Sequence, residues 1–238
     1  MHPPIPVQEY KLEIINIIDE TPDTKTFRVE NNNINFYPGQ FFMIRFEGSA
    51  TFHRAYSIAS SPTQEKYIDI TMNLVGKFTK RLWQAKIHDH LIFKGPYGKF
   101  YFSEEMGSGL VLIGGGLGIT PLMSIIRYCS DKKLSNKIKL IYSVRTPLDI
   151  VYKEEIKKTR EQNNNFDYTI TITRPNDKVL WTGKTGRIDI DLLRSNISSV
   201  ENSMFFLCGP ISFVKSGIKM LESLGAKKEQ IKTDIWGE

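Results

Sequence analysis

The sequence is poor in cysteine. Cys129 and Cys208 are the only two in 238 residues, and they stand 79 positions apart. Because there is no CxxC pair, a zinc knuckle is excluded, and a cysteine-ligated iron–sulfur cluster cannot be housed in this chain alone. A disulfide framework is also unexpected. The cysteine usage therefore predicts a reducing compartment and a cytoplasmic protein.

Targeting and membrane signals are also lacking. The proline-rich start, Met1 to Gln8, has no charged region followed by an apolar run, so no signal peptide is predicted. Residues 106–126 are 21 positions without a charge, which is long enough to span a bilayer. Six glycines and Pro121 interrupt that run. A strand, a loop and a helix are therefore predicted there, and no membrane insertion is expected.

No block of like charges occurs, and the rest of the composition is that of a soluble globular protein. Hydrophobic residues make up 40% and charged residues 24%. The 32 basic and 26 acidic residues give a net charge of +6. This modest excess fits an acidic protein partner or a phosphorylated ligand, and we predict no nucleic-acid partner.

The secondary-structure pattern of the sequence changes near residue 105, which predicts domains at 5–105 and 106–238. The first half has short strand patterns, for example Tyr67 to Leu74, where Ile68, Ile70, Met72 and Leu74 share a face at period 2. A helical stretch at 79–85 interrupts them. About six such strands indicate a small antiparallel barrel or a sandwich.

After residue 109, strand and helix patterns alternate, with helices expected at 149–160 and about 212–223. Such alternation predicts a parallel sheet with helices on both faces, an α/β domain of the nucleotide-binding type.

A glycine run lies between the first strand and helix of this second half. Gly114-Gly-Gly-Leu-Gly-Ile-Thr-Pro121 would let the backbone approach a pyrophosphate at a helix start. The strict G-x-G-x-x-G fingerprint fails, because Ile119 stands at its last glycine position. A glycine turn that serves only close packing is the alternative.

Three shorter motifs carry polar chemistry. Arg54-Ala-Tyr-Ser57 places a guanidinium and an aromatic ring on one face of a strand, where they could bind a phosphate and stack on a planar ring. Gly76-Lys-Phe-Thr79 opens a helix and could hold a second phosphate. Cys208-Gly-Pro210 would lie at the carboxyl edge of the sheet. The plain alternatives are a solvated surface, an ordinary helix cap and a buried small side chain.

The order of these motifs, with Gly95-Pro-Tyr-Gly98 between them, resembles the ferredoxin–NADP reductase-like flavoenzymes over nearly the whole chain. The chain is most similar to reductase components of bacterial oxygenases without a fused iron–sulfur domain. The resemblance implies a six-stranded antiparallel flavin-binding barrel followed by a Rossmann-like NAD(P)-binding domain. It also implies FAD and NADP or NAD as cofactors, and no metal.

The resemblance also implies roles for individual residues. Arg54 would bind flavin phosphate, Tyr56 would stack on the isoalloxazine, and Ser57 and Cys208 would be the catalytic positions. Trp236 is the candidate for an aromatic residue that covers the flavin. The full predicted cofactor-binding set is Arg54, Tyr56, Ser57, Met72, Gly76, Lys77, Thr79, Gly115, Gly116, Thr120, Arg145, Arg174, Arg187, Cys208, Gly209 and Trp236, with Gly118 in the same glycine run. His53, His88 and His90 are read as bystanders.

Selection between NADPH and NADH is predicted from arginines. Arg145 follows the second strand of the nucleotide domain, where dinucleotide folds distinguish a ribose hydroxyl from a 2′-phosphate, and Arg174 and Arg187 are expected nearby. We therefore favour NADPH, while Asp149 and the many NADH users of the family keep NADH open.

The acceptor is expected to be a separate ferredoxin-like acidic protein, because this chain has no cluster ligands. Lys77, Lys80, Arg81 and Lys99 are the predicted docking residues, and a solvated basic face is the plain alternative. Two alternatives stay open: a reductase of free flavin or ferric chelates, and a non-catalytic nucleotide-sensing subunit.

Overall fold

The computed structural model describes residues 4–49, 54–175 and 179–236. The chain separates into two compact units. The first comprises Met1–Ser103 with Met123–Lys132, and the second Glu104–Leu122 with Lys133–Glu238. Across the described residues, no helix has both the length and the apolar character that crossing a membrane requires.

The first unit is a six-stranded antiparallel sheet in the order β4-β3-β6-β1-β2-β5. A bridge between Ile58 and Ile70 joins the two outer strands, so the sheet nearly closes on itself as a barrel. This confirms the barrel and excludes the sandwich. Its strands are β1 (Gln8–Thr21), β2 (Thr24–Glu30), β3 (Phe41–Phe46), β4 (Arg54–Ser57), β5 (Tyr67–Asn73) and β6 (His90–Tyr97).

Alternating side chains of these strands fill the barrel with an apolar core. Leu12 and Ile14 of β1, Phe42 of β3, Ile70 of β5 and Phe93 of β6 are buried together in it. This is the expected consequence of period-2 patterning on strands that enclose one core.

The helix of the first unit, α1 (Gly76–Leu82), begins three residues before the predicted start at 79. The cause is Thr79, whose hydroxyl accepts a hydrogen bond from the Val75 N–H at 2.7 Å and donates one to the Val75 carbonyl at 2.6 Å. These bonds fold the preceding residues into a first turn, which helical periodicity alone does not show.

The second unit is a six-stranded sheet in the order β10-β9-β8-β7-β11-β12, with every pair parallel, as predicted. Its strands are β7 (Gly109–Gly115), β8 (Lys137–Val144), β9 (Phe166–Ile172), β10 (Lys184–Thr185), β11 (Ser203–Gly209) and β12 (Ile231–Ile235). Its helices are α2 (Ile119–Asp131), α3 (Lys153–Gln162), α4 (Ile190–Asn196) and α5 (Ile211–Ser223). The end of α2, from Met123, belongs to the first unit.

Helix α3 starts four residues later than the predicted 149. A 3₁₀ turn, Pro147–Asp149, comes first, and the Asp149 carboxylate caps it by accepting a hydrogen bond from the Thr146 N–H at 2.8 Å. Asp149 therefore ends one turn and does not open the next helix.

Candidate functional site

The parallel sheet reverses its strand order between β7 and β11. From β7 the chain moves through β8 and β9 in one direction, and it then returns to β11 on the other side of β7. Ligands of open α/β sheets bind at such a switch point, outside the carboxyl ends of the strands. Here those ends are Gly114–Gly115 and Cys208–Gly209.

The backbones of the glycine run and of β11 lie unusually close at this point. A Cβ added to Gly118 would lie 2.0 Å from the Cys208 carbonyl oxygen and 2.9 Å from the Gly209 nitrogen. Gly116 has a φ of +55°, in the left-handed region that favours glycine. The run therefore serves close packing, which was the plain alternative, while the half-buried Gly116 has, among the described residues beyond its chain neighbours, no atom nearer than 4.0 Å to its Cβ position.

Thr120, in the first turn of α2, has a hydroxyl without a hydrogen-bond partner. Its Oγ1 is buried, and the residue is 3% exposed. A buried unpaired hydroxyl is costly, and a ligand or an ordered water can supply the missing partner. Together with the backbone N–H groups of the helix start, this donor fits the pyrophosphate of a dinucleotide.

Cys208 is completely buried at the end of β11. Burial first, and then the Asp234 carboxylate, raise the pKa of its thiol well above the usual range; its Sγ lies 3.8 Å from Asp234 Oδ2. The side chain is therefore a neutral thiol. Asp234 was missed in the sequence, since only the parallel register of β11 and β12 brings it opposite Cys208.

Trp236 follows β12 and lies beside the same edge. Its backbone N–H donates to the Gly209 carbonyl at 3.3 Å, and its indole ring passes 4.0 Å from the position of a Cβ added to Gly116. The structure thus places Trp236 beside Gly116, Gly209 and Cys208 in the second unit.

A cleft of about 280 Å³ opens on the α5 side of the carboxyl edge. Its polar lining is four hydroxyl side chains and one guanidinium: Ser143, Thr173, Ser212, Ser216 and Arg187. Phe213 and Met220 add apolar surface. Of the three predicted arginines, only Arg187 lines this cleft. Arg145 and Arg174 are exposed and are joined by a backbone hydrogen bond of 2.7 Å from the Arg174 N–H.

In the first unit, Arg54 and Tyr56 lie on β4, in register with Ile44 and Phe42 of β3. Being two residues apart, they share a face of the strand, as predicted. Tyr56 stacks on Phe78 of α1 with ring centroids 5.8 Å apart. Burial raises the pKa of Tyr56 to about 12, although Arg54 acts in the opposite direction.

The remaining flavin candidates differ in their surroundings. Gly76, with a φ of +80°, and Lys77 are exposed at the start of α1. Thr79 is buried, and its hydroxyl is bonded to the Val75 backbone, so it shapes the turn that presents those two residues. Met72 is buried in the barrel core.

Two family models match the chain in series. Residues 11–102 match an oxidoreductase FAD-binding domain, and residues 112–217 match an oxidoreductase NAD-binding domain. The first covers the barrel with β4 and α1. The second covers the glycine run, Cys208 and the residues named as lining the cleft except Met220.

Curated relatives of the chain include subunits F of Na⁺-translocating NADH-quinone reductases. That of Yersinia pseudotuberculosis is 31% identical over 216 residues, which is 83% of this chain and 53% of the relative. That of a Marinomonas species is 32% identical over 200 residues, which is 77% of this chain and 48% of the relative. The chain therefore spans about half the length of the curated relatives it matches.

Solved structures show the same fold. The ferredoxin reductase of carbazole 1,9a-dioxygenase is 27% identical, with a TM-score of 0.87 over 99% of this chain and 71% of that one. A ferredoxin NADP⁺ reductase from Neisseria gonorrhoeae with bound FAD and NADP is 22% identical, with a TM-score of 0.83 over 95% of this chain and 98% of that one.

Proposed function

The chain belongs to the ferredoxin–NADP reductase-like flavoenzymes, with an FAD-binding and an NAD-binding domain in series. From this premise we propose that it oxidises NADPH and passes the electrons through FAD to a separate acidic protein that accepts one electron at a time. The observation that carries the nucleotide part is the approach of Gly118 to Cys208 beside the unpartnered Thr120 hydroxyl.

Bound FAD would supply the conversion of a two-electron hydride into single electrons. The residues of the chain have to bind and orient the FAD and the nicotinamide nucleotide. The backbone from Gly115 to Gly118 and the Thr120 hydroxyl would donate hydrogen bonds to the nucleotide pyrophosphate. The neutral Cys208 thiol would face the nicotinamide without adding a charge, because its pKa is raised by burial.

On the barrel, Arg54 would pair with flavin phosphate and Tyr56 would offer its ring to the isoalloxazine. Ser57 continues the same strand and would hydrogen-bond the flavin. Gly76 and Lys77, held in place by Thr79, would take the second phosphate that distinguishes FAD from FMN. Arg54 and Lys77 are exposed, which supports binding of a ligand from solvent.

The preference for NADPH is supported by the cleft that Arg187 lines. An adenosine 2′-phosphate needs a cation and hydroxyl donors, and an acidic side chain there would repel it. Arg187 and four hydroxyl side chains meet those needs, and none of the residues described as lining the cleft is acidic. Asp149, which could have favoured NADH, is engaged in capping Thr146.

The proposed electron acceptor is inferred from the basic and apolar residues exposed on the surface of the protein. Lys77, Lys80 and Arg81 of α1 are exposed, and so is Lys99. Leu74 and Val75, which directly precede α1, add exposed apolar surface. Apolar groups within a basic rim suit an acidic protein. The named relatives include a quinone-reductase subunit and an oxygenase ferredoxin reductase, both parts of electron-transfer systems.

The test is anaerobic reduction of the purified flavoprotein. We expect FAD in the denatured supernatant, bleaching of the bound flavin by NADPH, and a kcat/KM for NADPH above that for NADH. Arg187→Ala should erase that preference, while Arg194→Ala, on the exposed side of α4, should keep it.

Contrary results would each remove a part of the proposal. FMN in the supernatant would overturn the FAD assignment, and a flavin that no nicotinamide bleaches would indicate a nucleotide sensor. A preference for NADH that survives Arg187→Ala would overturn the NADPH assignment. Reduction of free flavin or ferric chelates far faster than any acidic ferredoxin would identify a small-molecule reductase.

A further inference from the structure

Helix α2 carries a stripe of polar residues that neither the nucleotide site nor the hydrophobic core explains. Ser124, Arg127 and Asp131 follow one another at spacings of three and four, so they lie on one face of a mostly apolar helix. All three belong to the first unit, and all three are hydrogen-bonded to the segment that follows β4.

The stripe contacts this segment at three points. The Ser124 hydroxyl donates to the Ser60 carbonyl at 2.7 Å, and the Arg127 Nη1 donates to the Ala59 carbonyl at 2.7 Å. The Thr63 hydroxyl donates to the Asp131 carboxylate. Because Ser124 is fully buried, its bond is shielded from competing water.

Strand β5 holds the same two residues from the other side. The Ala59 N–H donates to the Asp69 carbonyl at 2.8 Å, and the Asp69 N–H donates to the Ser60 hydroxyl oxygen at 3.1 Å. Ala59 and Ser60 are thus bonded on one side to the barrel and on the other to α2. These hydrogen bonds leave Ala59 and Ser60 little freedom to move.

This matters because Ala59 is only two residues beyond Ser57. Strand β4 is four residues long, and its ladder runs along β3 alone, apart from the single bridge between Ile58 and Ile70. A short strand with one full neighbour depends on its ends for its position. The end nearest Ser57 is the one that α2 holds.

We propose that Ser124 and Arg127 are positioning residues for the flavin: by fixing Ala59 and Ser60, they set the place of Arg54, Tyr56 and Ser57 on β4. The inference rests on the proposed function, since it assumes that FAD binds these three residues. It assigns to α2 a role at the flavin site in addition to its role at the nucleotide site.

The experiment measures FAD binding and fold stability separately. Apoprotein is prepared from the unaltered chain and from Arg127→Gln, Ser124→Ala and Arg127→Lys. For each we would record the apoprotein Tm, the FAD dissociation constant and the visible spectrum of the bound flavin. Arg160→Gln, which removes an exposed guanidinium paired with Asp167, is the matched control.

Arg127→Gln is expected to raise the FAD dissociation constant about tenfold and to shift the flavin spectrum, because a charged donor is lost. Ser124→Ala should act in the same direction. Arg127→Lys, which keeps a cationic donor, should restore most of the affinity, and Arg160→Gln should match the unaltered chain.

Unchanged FAD affinity and spectrum in both Arg127→Gln and Ser124→Ala would overturn the inference, even with a lower apoprotein Tm, since that pattern indicates a purely structural contact. If Arg127→Gln does not fold, Ser124→Ala decides by the same two readouts. Failure of the unaltered chain to bind FAD would instead overturn the proposed function, and this inference with it.

Discussion

At the scale of single residues, the chemistry of the second unit depends on groups that are small, buried or neutral. Gly118 allows the glycine run to reach the Cys208 carbonyl, and burial keeps the Cys208 thiol protonated. Thr120 contributes a buried hydroxyl without a partner. Each of these features would be lost through a change of a few atoms.

The first prediction concerns Gly118. In Gly118→Ala, the new methyl carbon would lie 2.0 Å from a backbone oxygen, so the glycine run or β11 must shift. We expect a loss of about 1–3 kcal/mol of unfolding free energy and weaker NADP⁺ binding, measured by urea denaturation and by titration.

Gly114→Ala is the control for Gly118→Ala. Its added carbon would lie 3.1 Å from the Leu122 side chain, which can move, so a smaller loss is expected. Equal stability and equal NADP⁺ affinity of Gly118→Ala and the unaltered chain would contradict the close approach.

The second prediction concerns pH and Tyr56. Burial raises its pKa to about 12, against about 10 in an unfolded chain, so folding favours the neutral phenol. This contribution, about 2–3 kcal/mol, is complete below pH 10 and is lost as the pH rises from 10 through 12. The unfolding free energy should therefore fall across that window, and it should fall less in Tyr56→Phe. The same slope in both proteins would argue against a buried, titrating Tyr56.

At the scale of elements, the barrel is fixed by bonds between strands that lie far apart in the sequence. Arg28 of β2 binds the Asp69 carboxylate of β5 through Nε at 2.8 Å and Nη2 at 3.0 Å, and its guanidinium stacks 3.5 Å from the Tyr67 ring. Asp69 also anchors Ala59 and Ser60, so this pair supports the strand that carries Arg54 and Tyr56.

The third prediction is that Asp69→Asn destabilises the barrel. The Asp69 side chain is 4% exposed and that of Arg28 is 25% exposed, so removal of one charge leaves the other poorly compensated. We expect a loss of about 2–3 kcal/mol in urea unfolding, which is below the range for a fully buried pair because Arg28 reaches solvent.

Asp191→Asn breaks the exposed pair with Arg194 and serves as the control, with an expected loss below about 0.5 kcal/mol. If Asp69→Asn costs no more than this control, the pair does not hold the barrel.

At the scale of the whole molecule, the protein has a net charge of +6. Helix α1 contributes to this excess, because it contains Lys77, Lys80 and Arg81 and no acidic residue. The electrostatic field of such a surface raises the rate of encounter with a partner of opposite charge. It acts on the association rate more than on the chemistry that follows.

The fourth prediction is a dependence of electron transfer on salt. Reduction of an acidic ferredoxin should slow as ionic strength rises from roughly 0.01 to 0.5 M, where the Debye length shrinks from ~30 to ~4 Å. Reduction of a neutral dye should not change. A double charge-neutral variant at Lys80 and Arg81, which leaves Lys77 for the FAD phosphate, should lose much of the salt dependence. A rate that is insensitive to salt would exclude electrostatic docking.

By itself the sequence determined a β domain followed by an α/β domain, and the resemblance that its motif order carries implied the barrel and the classes of cofactor. The period-2 pattern at 67–74 and the strand–glycine–helix order at 110–126 depend on near neighbours along the chain, and both the antiparallel barrel and the parallel sheet are confirmed. The family models confirm FAD- and NAD-binding domains. The individual site residues stay predictions.

Only the tertiary structure decided which side chains meet. Helix α1 starts at Gly76 because Thr79 bonds back to Val75, and Asp234 lies against Cys208 because β12 pairs with β11. The cleft around Arg187 and the contacts of Ser124 and Arg127 likewise join segments far apart in the sequence. Periodicity reports which face of an element is apolar. It carries no information on register or on distant hydrogen-bond partners, which are set when the sheets close and the helices pack.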